Sequence, residues 1–202
     1  MTGKDEDTSG DLALDRLVFF SDAVFAIAIT LLVLEIDVPD LPVHVSAAAS
    51  WQALADLMPS FFAFALSFLV IGRFWMGHHE RFRALRHFDA RLMWPNMLYL
   101  MAIAFMPFAT AFLGRNLGHF VPALFYNVSM LFLSLLAMWL AHRLRVIGSA
   151  GERHEGIDLV LASLVCIGLS FVVPLLSQWG MMTVPLWTWL EKRFYSPAPV
   201  QA

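Results

Sequence analysis

Two groups of residues in this sequence have the types and spacing to do chemistry. His78-His79-Glu80, followed by His87 and Asp89, offers imidazole and carboxylate groups for a metal ion or for proton transfer. Asp22 stands alone, several residues inside an otherwise apolar run. The histidine group lacks the spacing a metal needs. It contains no H-E-x-x-H, and adjacent helical residues point about 100° apart, so His78 and His79 cannot easily share one ion. Hydrogen bonding between helices, or a wetted membrane boundary, is the plainer reading. Cys166 lies in mid-helix with no neighbouring base and reads as packing. The chain has no G-x-S-x-G, no glycine-rich phosphate loop and no T-V-G-Y-G potassium filter. Asn127-Val128-Ser129 fits the glycosylation pattern but falls inside an apolar segment, a chance match. No enzyme active site emerges.

The elements that carry these residues follow from composition. Of 202 residues, 59% are hydrophobic and 14% charged, against about 45–50% and roughly 25% in soluble domains. A soluble domain of this length could not hide so much apolar surface. A balance of 13 basic against 16 acidic residues gives no reason to expect nucleic acid as a partner. A polytopic, all-α membrane protein remains. The apolar segments run from Leu12 to Ile36, Trp51 to Met76, Leu92 to Leu113, Val121 to Ala141, Leu159 to Leu176 and Met181 to Leu190. They predict six transmembrane helices in one domain, residues 12–195, although Pro185 interrupts the short sixth. Residues 1–11 read as a disordered acidic tail without a signal peptide, and 196–202 as a second tail.

Charge sets the topology. Asp37 to Ser50 contains no Lys or Arg, whereas the second connection carries Arg81, Arg83, Arg86 and Arg91, with Arg73 just before it. Arg115 alone marks the third, and Arg143, Arg145 and Arg153 mark the fourth. This alternation predicts both termini in the cytoplasm; the expected location is the plasma (inner) membrane. Trp51 and Trp179 fall near outer ends, and Trp139, Trp187 and Trp189 near inner ones, as an interfacial belt requires.

The first helix is the informative one. At about 100° per residue, Arg16, Phe20, Ala23, Ile27, Leu31 and Leu34 lie within about 40° of one line, with Thr30 about 60° aside. Asp22 is about 140° from Ile27. One face is a bulky apolar stripe with a basic foot; the other offers an acid to its neighbours. A carboxylate inside a span marks a functional or interhelical site unless water reaches it from the surface.

These residues resemble the transmembrane protein 175 family, the potassium channels of lysosomes and prokaryotes. Its hallmark, R-x-x-x-F-S-D, is met by Arg16, Phe20, Ser21 and Asp22, and the run from Ala23 to Ile36 is typical of prokaryotic members. The resemblance continues through Phe74-Trp75, His78-His79, Trp94, Asn96 and the run from Phe105 to Thr110. Pro95 departs from the pattern, where an aliphatic residue is expected, and puts the start of the third helix and the place of Asn96 in question.

The resemblance implies a homotetramer of six-helix chains whose first helices line a central pore. It implies a potassium-selective, leak-type channel with no cofactor and no other obligate protein partner, set in membrane lipid. Its filter would be a hydrophobic constriction at Ile27, with Leu31 and Leu34 above it and Thr30 supplying a hydroxyl. Arg16, Phe20, Ser21 and Asp22, with Trp75, His78 or His79, and Asn96, would form the polar network that fastens the first helix. The alternative is a membrane-embedded transporter or enzyme using Asp22 and His78/His79. It requires those groups to line a water-filled cavity.

Overall fold

A computed structural model describes residues 2–85, 89–147 and 156–195, and every regular element among them is helical. Arg86, His87, Arg153 and the tail at 196–202 lie outside the described residues. Helix α1 spans Thr2–Leu34, so the acidic segment expected to be disordered is helical from Thr2.

The second apolar segment is two helices, α2 (Ala47–Asp56) and α3 (Met58–Arg83), rather than one. Pro59, in the first turn of α3, has no N–H to continue the ladder back to the Ala55 carbonyl, so the helix is interrupted at Leu57, which caps both pieces. Helix α3 runs on past Met76 and carries the histidine pair. Helix α4 spans Met93–Arg115 after a short 3-10 turn at Ala90–Leu92, and α5 spans Phe120–Ile147. Gly118, at φ +89°, makes the left-handed turn between them.

The C-terminal third differs most from expectation. Helix α6 spans Ile157–Val172 and stops before Pro174, four residues short of the expected end. A 3-10 run fills Pro174–Thr183, and α7 spans Val184–Tyr195. Pro185 sits in the first turn of α7, where its missing N–H has no helical partner to lose, so it starts this helix rather than interrupting it. At about 1.5 Å per residue the bilayer core takes about 20 residues. Four helical segments meet that length: Leu12–Leu34, Met58–Arg83, Ala90–Arg115 and Phe120–Ile147. Helix α6, with 16 residues, and α7, with 12, do not reach it.

Helix α4 is the centre of the chain and touches α1, α3 and α5, while α5 carries α6 and the 3-10 run on its far side. Tyr99, Ile103, Met106 and Leu113 of α4 are fully buried between these neighbours. Close approach is written into glycines. A Cβ on Gly114 of α4 would sit 3.1 Å from the Ser60 Cα, so these two backbones meet with no side chain between them.

Candidate functional site

Helix α1 has two unlike arcs. Leu17, Ser21, Phe25, Ala28 and Leu32 recur at helical spacing and are buried against the neighbouring helices. Phe20, Ile27, Leu31 and Leu34 are exposed, at 46%, 58%, 40% and 73%, and Arg16, Ala23 and Thr30 share their arc. The apolar stripe legible in the sequence therefore has no cover among the described residues.

Polar bonds secure the buried arc. The indole N–H of Trp75 on α3 donates to Asp22 Oδ1 at 2.8 Å. Asn96 of α4 donates through Nδ2 to Ser21 Oγ at 3.0 Å and faces His78 Nε2 through Oδ1 at 2.8 Å. Proton order follows from these contacts. Ser21 gives its own proton to the Leu17 carbonyl at 2.8 Å, so it must accept from Asn96. That turns the amide oxygen of Asn96 toward His78, which must then carry its proton on Nε2. The imidazole is held between Phe82 and Tyr99, ring centres 4.4 and 5.6 Å away, with Phe25 at 5.5 Å. His78 Nδ1 is buried with no hydrogen-bond partner among the described residues.

Ser21, Asp22, Trp75, His78 and Asn96 thus come together across α1, α3 and α4. Arg16 and Phe20 do not join them: both lie on the exposed arc. His79 rests its ring against Trp75, centres 5.6 Å apart, and makes no bond to the cluster through its buried Nδ1. Pro95 leaves Asn96 in place, because it lies in the first turn of α4, where the backbone N–H has no helical partner. Asp89 caps the preceding turn, accepting from the Arg91 N–H at 2.7 Å.

Thr30 donates back to its own helix, with Oγ1 2.9 Å from the Ala26 carbonyl and 3.0 Å from that of Ile27. Its hydrogen being spent there, the hydroxyl presents only oxygen lone pairs to the exposed side, the polarity that suits a cation. Just past the end of α1, Asp37 takes a two-pronged bond from Arg115 at the end of α4, both contacts 2.9 Å.

Three further polar contacts escaped the sequence reading. Tyr126, Ser67 and Thr110 form a buried chain joining α5, α3 and α4, with oxygen separations of 2.9 and 2.8 Å, ending at the Met106 carbonyl 2.9 Å from Thr110. Asn127, which the sequence offers only as a chance glycosylation match, donates to Ser170 at 2.8 Å and to the Cys166 carbonyl at 3.2 Å. Arg73 faces the buried Asp158 at 3.6 Å. The signal for each was a polar residue inside an apolar run, the same signal that marks Asp22. A small open cleft lies near the C-terminal end of α1, lined by Leu32, Glu35, Ser60 and Thr110 among others. Neither Asp22 nor His78 lines it.

Comparison with known proteins gives this arrangement its context. The family model described as "Endosomal/lysosomal potassium channel TMEM175" matches residues 16–107, the stretch that carries both arcs of α1 and the cluster behind it. A protein of Streptomyces collinus named as a potassium channel is 37% identical over 173 residues, covering 78% of this chain and 82% of that protein. A crystal structure described as a lysosomal potassium-selective channel TMEM175 homolog, from Chamaesiphon minutus, superposes with a TM-score of 0.73 at 32% identity. It covers 89% of this chain and 97% of that one. A mouse protein named endosomal/lysosomal proton channel TMEM175 is 35% identical over 109 residues, 22% of its own length. By family match, relatives and fold, this chain belongs to the TMEM175 family.

Proposed function

We infer that the chain is a multi-pass membrane potassium channel, not an enzyme, and that four copies surround a pore lined by the exposed arc of α1. The observation that carries this reading is the arc itself. Ile27, Leu31 and Leu34 are aligned, large and uncovered in a single chain, while the opposite arc is tied down by hydrogen bonds. A closed ring of copies related by rotation would cover such a stripe and turn it toward an axis. Ile27 then forms the constriction, with Leu31 and Leu34 stacked above it and the Thr30 oxygen beside it.

The mechanism is dehydration. Rings of aliphatic side chains admit an ion only when it sheds part of its water or when the pore dilates and wets. Potassium releases water more readily than sodium, so such a constriction favours it. In this reading the channel domain, residues 12–195, crosses the plasma membrane six times with both termini cytoplasmic. α6, the 3-10 run and α7 then supply the last two crossings by folding back on each other. No cofactor is required; potassium is the transported ion.

The rival reading, a transporter or enzyme using Asp22 and His78/His79, needs those groups in a wet cavity. Asp22 Oδ1 and His78 Nε2 instead bond Trp75 and Asn96 within the helix packing. Electrical recording from purified protein in lipid tests the proposal. A potassium current that exceeds sodium current at equal gradients is expected. A proton-only current, or none at all, overturns the reading.

A further inference from the structure

Helix α2 has no buried residue, although it begins with a formed cap, Ser46 Oγ accepting from the Ala49 N–H at 3.2 Å. A ten-residue helix is too short to persist in water on propensity alone. Its three faces say what holds it. Ser50, Ala53 and Leu57 are half-buried toward the body of the chain. Trp51 and Leu54 are exposed, at 72% and 42%, and share an arc with Ala47, Ala48 and Ala55. On the third face Gln52 donates to Asp56 at 2.8 Å, one turn on.

Two further observations identify the cover for Trp51 and Leu54. The apolar arc continues without a charged residue into the exposed Met58, Phe61 and Phe62, the first turns of the spanning helix α3. A second exposed tryptophan, Trp179 in the 3-10 run, stacks on Phe62 with ring centres 6.3 Å apart. Tryptophans collect where hydrocarbon meets headgroups, because the ring is amphipathic. Trp51, Trp179 and the start of a span therefore mark one level of the bilayer.

We propose that α2 is an in-plane interfacial helix, its Trp51–Leu54 arc sunk in the headgroup–acyl boundary of the membrane and its Gln52–Asp56 face in water. The partner is the lipid surface itself rather than a second copy of the chain. A helix with one apolar and one polar face lies in this plane, whereas a span is apolar all round. The proposal requires only that α3 spans the bilayer, so it stands or falls separately from the pore reading.

The test uses the full chain reconstituted in phosphatidylcholine–phosphatidylglycerol nanodiscs. Cys166, the single cysteine, is buried, so Cys166→Ala provides a background for Leu54→Cys and Gln52→Cys, both exposed sites that tolerate a spin label. Collisions with oxygen, which concentrates in lipid, and with a water-soluble nickel chelate then place each label. At position 54 the oxygen-to-nickel ratio is expected to be several-fold higher than at position 52. Equal ratios, or a position-54 label open to nickel, overturn the proposal. A position-54 label shielded from both reagents also overturns it, because a neighbouring protein copy then covers the arc. Fluorescence gives a label-free second reading. Brominated lipid with bromine high on the acyl chain is expected to quench wild type more than Trp51→Phe, and equal quenching counts against the proposal.

Discussion

The carboxylate of Asp22 on α1 receives the indole N–H of Trp75 on α3 at 2.8 Å, and this bond spans the boundary between the two arcs of α1. Trp75 is 37% exposed, so the contact lies at the rim of the cluster rather than at its centre. Asp22→Ala removes the acceptor and is expected to cost about 1.5–2 kcal/mol per chain, the lower part of the range for charged hydrogen bonds. Thermal unfolding in mild detergent checks this, with Trp75→Phe expected to give a similar loss. Ion preference in whatever protein still folds is expected to be unchanged. Normal stability with altered selectivity would show Asp22 acting on the ions instead.

The cluster behind Asp22 makes a spectroscopic prediction. Ser21 donates to Leu17, so Asn96 must donate to Ser21 and accept from His78. Nitrogen-15 shifts are expected to report His78 as the neutral tautomer with hydrogen on Nε2 and a bare Nδ1. Asn96→Asp keeps an acceptor for His78 but removes the donor to Ser21, so the tautomer is expected to persist while stability falls by about 1–3 kcal/mol. A proton on Nδ1 in wild type would show the amide turned the other way.

Ile27 and Leu34 stand about 10 Å apart along the helix axis, deep enough for an apolar plug if the arc lines a pore. Ile27→Asn is expected to ease wetting, raise conductance and admit sodium more readily. Thr30→Ala removes the oxygen ligand, leaves the aliphatic rings and is expected to weaken potassium preference without a large gain in current. Ile29, packed against the core on the other side, is the control: Ile29→Asn is expected to lower expression or stability. Reversal potentials in mixed potassium and sodium solutions are the readout. Unchanged selectivity in a well-folded Ile27→Asn protein would remove Ile27 from the constriction.

The α6 turn-back makes a packing prediction. A Cβ on Gly180 would lie 2.7 Å from the Cys166 Sγ and 3.1 Å from the Cys166 backbone nitrogen. Gly180→Ala is therefore expected to destabilise by about 1–3 kcal/mol, the usual range for overpacking. Adding Cys166→Ala frees the sulfur but not the backbone, so thermal stability is expected to recover only in part. Full recovery would place the clash in the side chain alone.

The sequence makes legible what depends on periodicity and loses what depends on partners. The spans in α1, α3, α4 and α5 follow from runs of apolar residues longer than a soluble helix needs, and Asp22 follows from its cost in such a run. The break at Leu57 and the 3-10 run after Pro174 are local backbone events that leave the apolar count intact, so the count passes over them. His78 and His79 are identical in type and adjacent in sequence. Only the position of α4 decides that His78 meets Asn96. The Tyr126–Ser67–Thr110 chain is dispersed over three helices, and no spacing rule links its members.

The division of α1 into a fastened arc and an uncovered one has an evolutionary consequence. Residues on the buried arc answer to many neighbours at once, so a change at Ser21 or Phe25 disturbs folding wherever the chain is used. Residues such as Ile27 and Leu31 have few neighbours of their own to satisfy. Substitutions there leave the fold of the single chain almost untouched and are filtered by what the uncovered arc meets. If that arc lines the pore, α1 acquires new permeation properties one residue at a time without first acquiring a new fold.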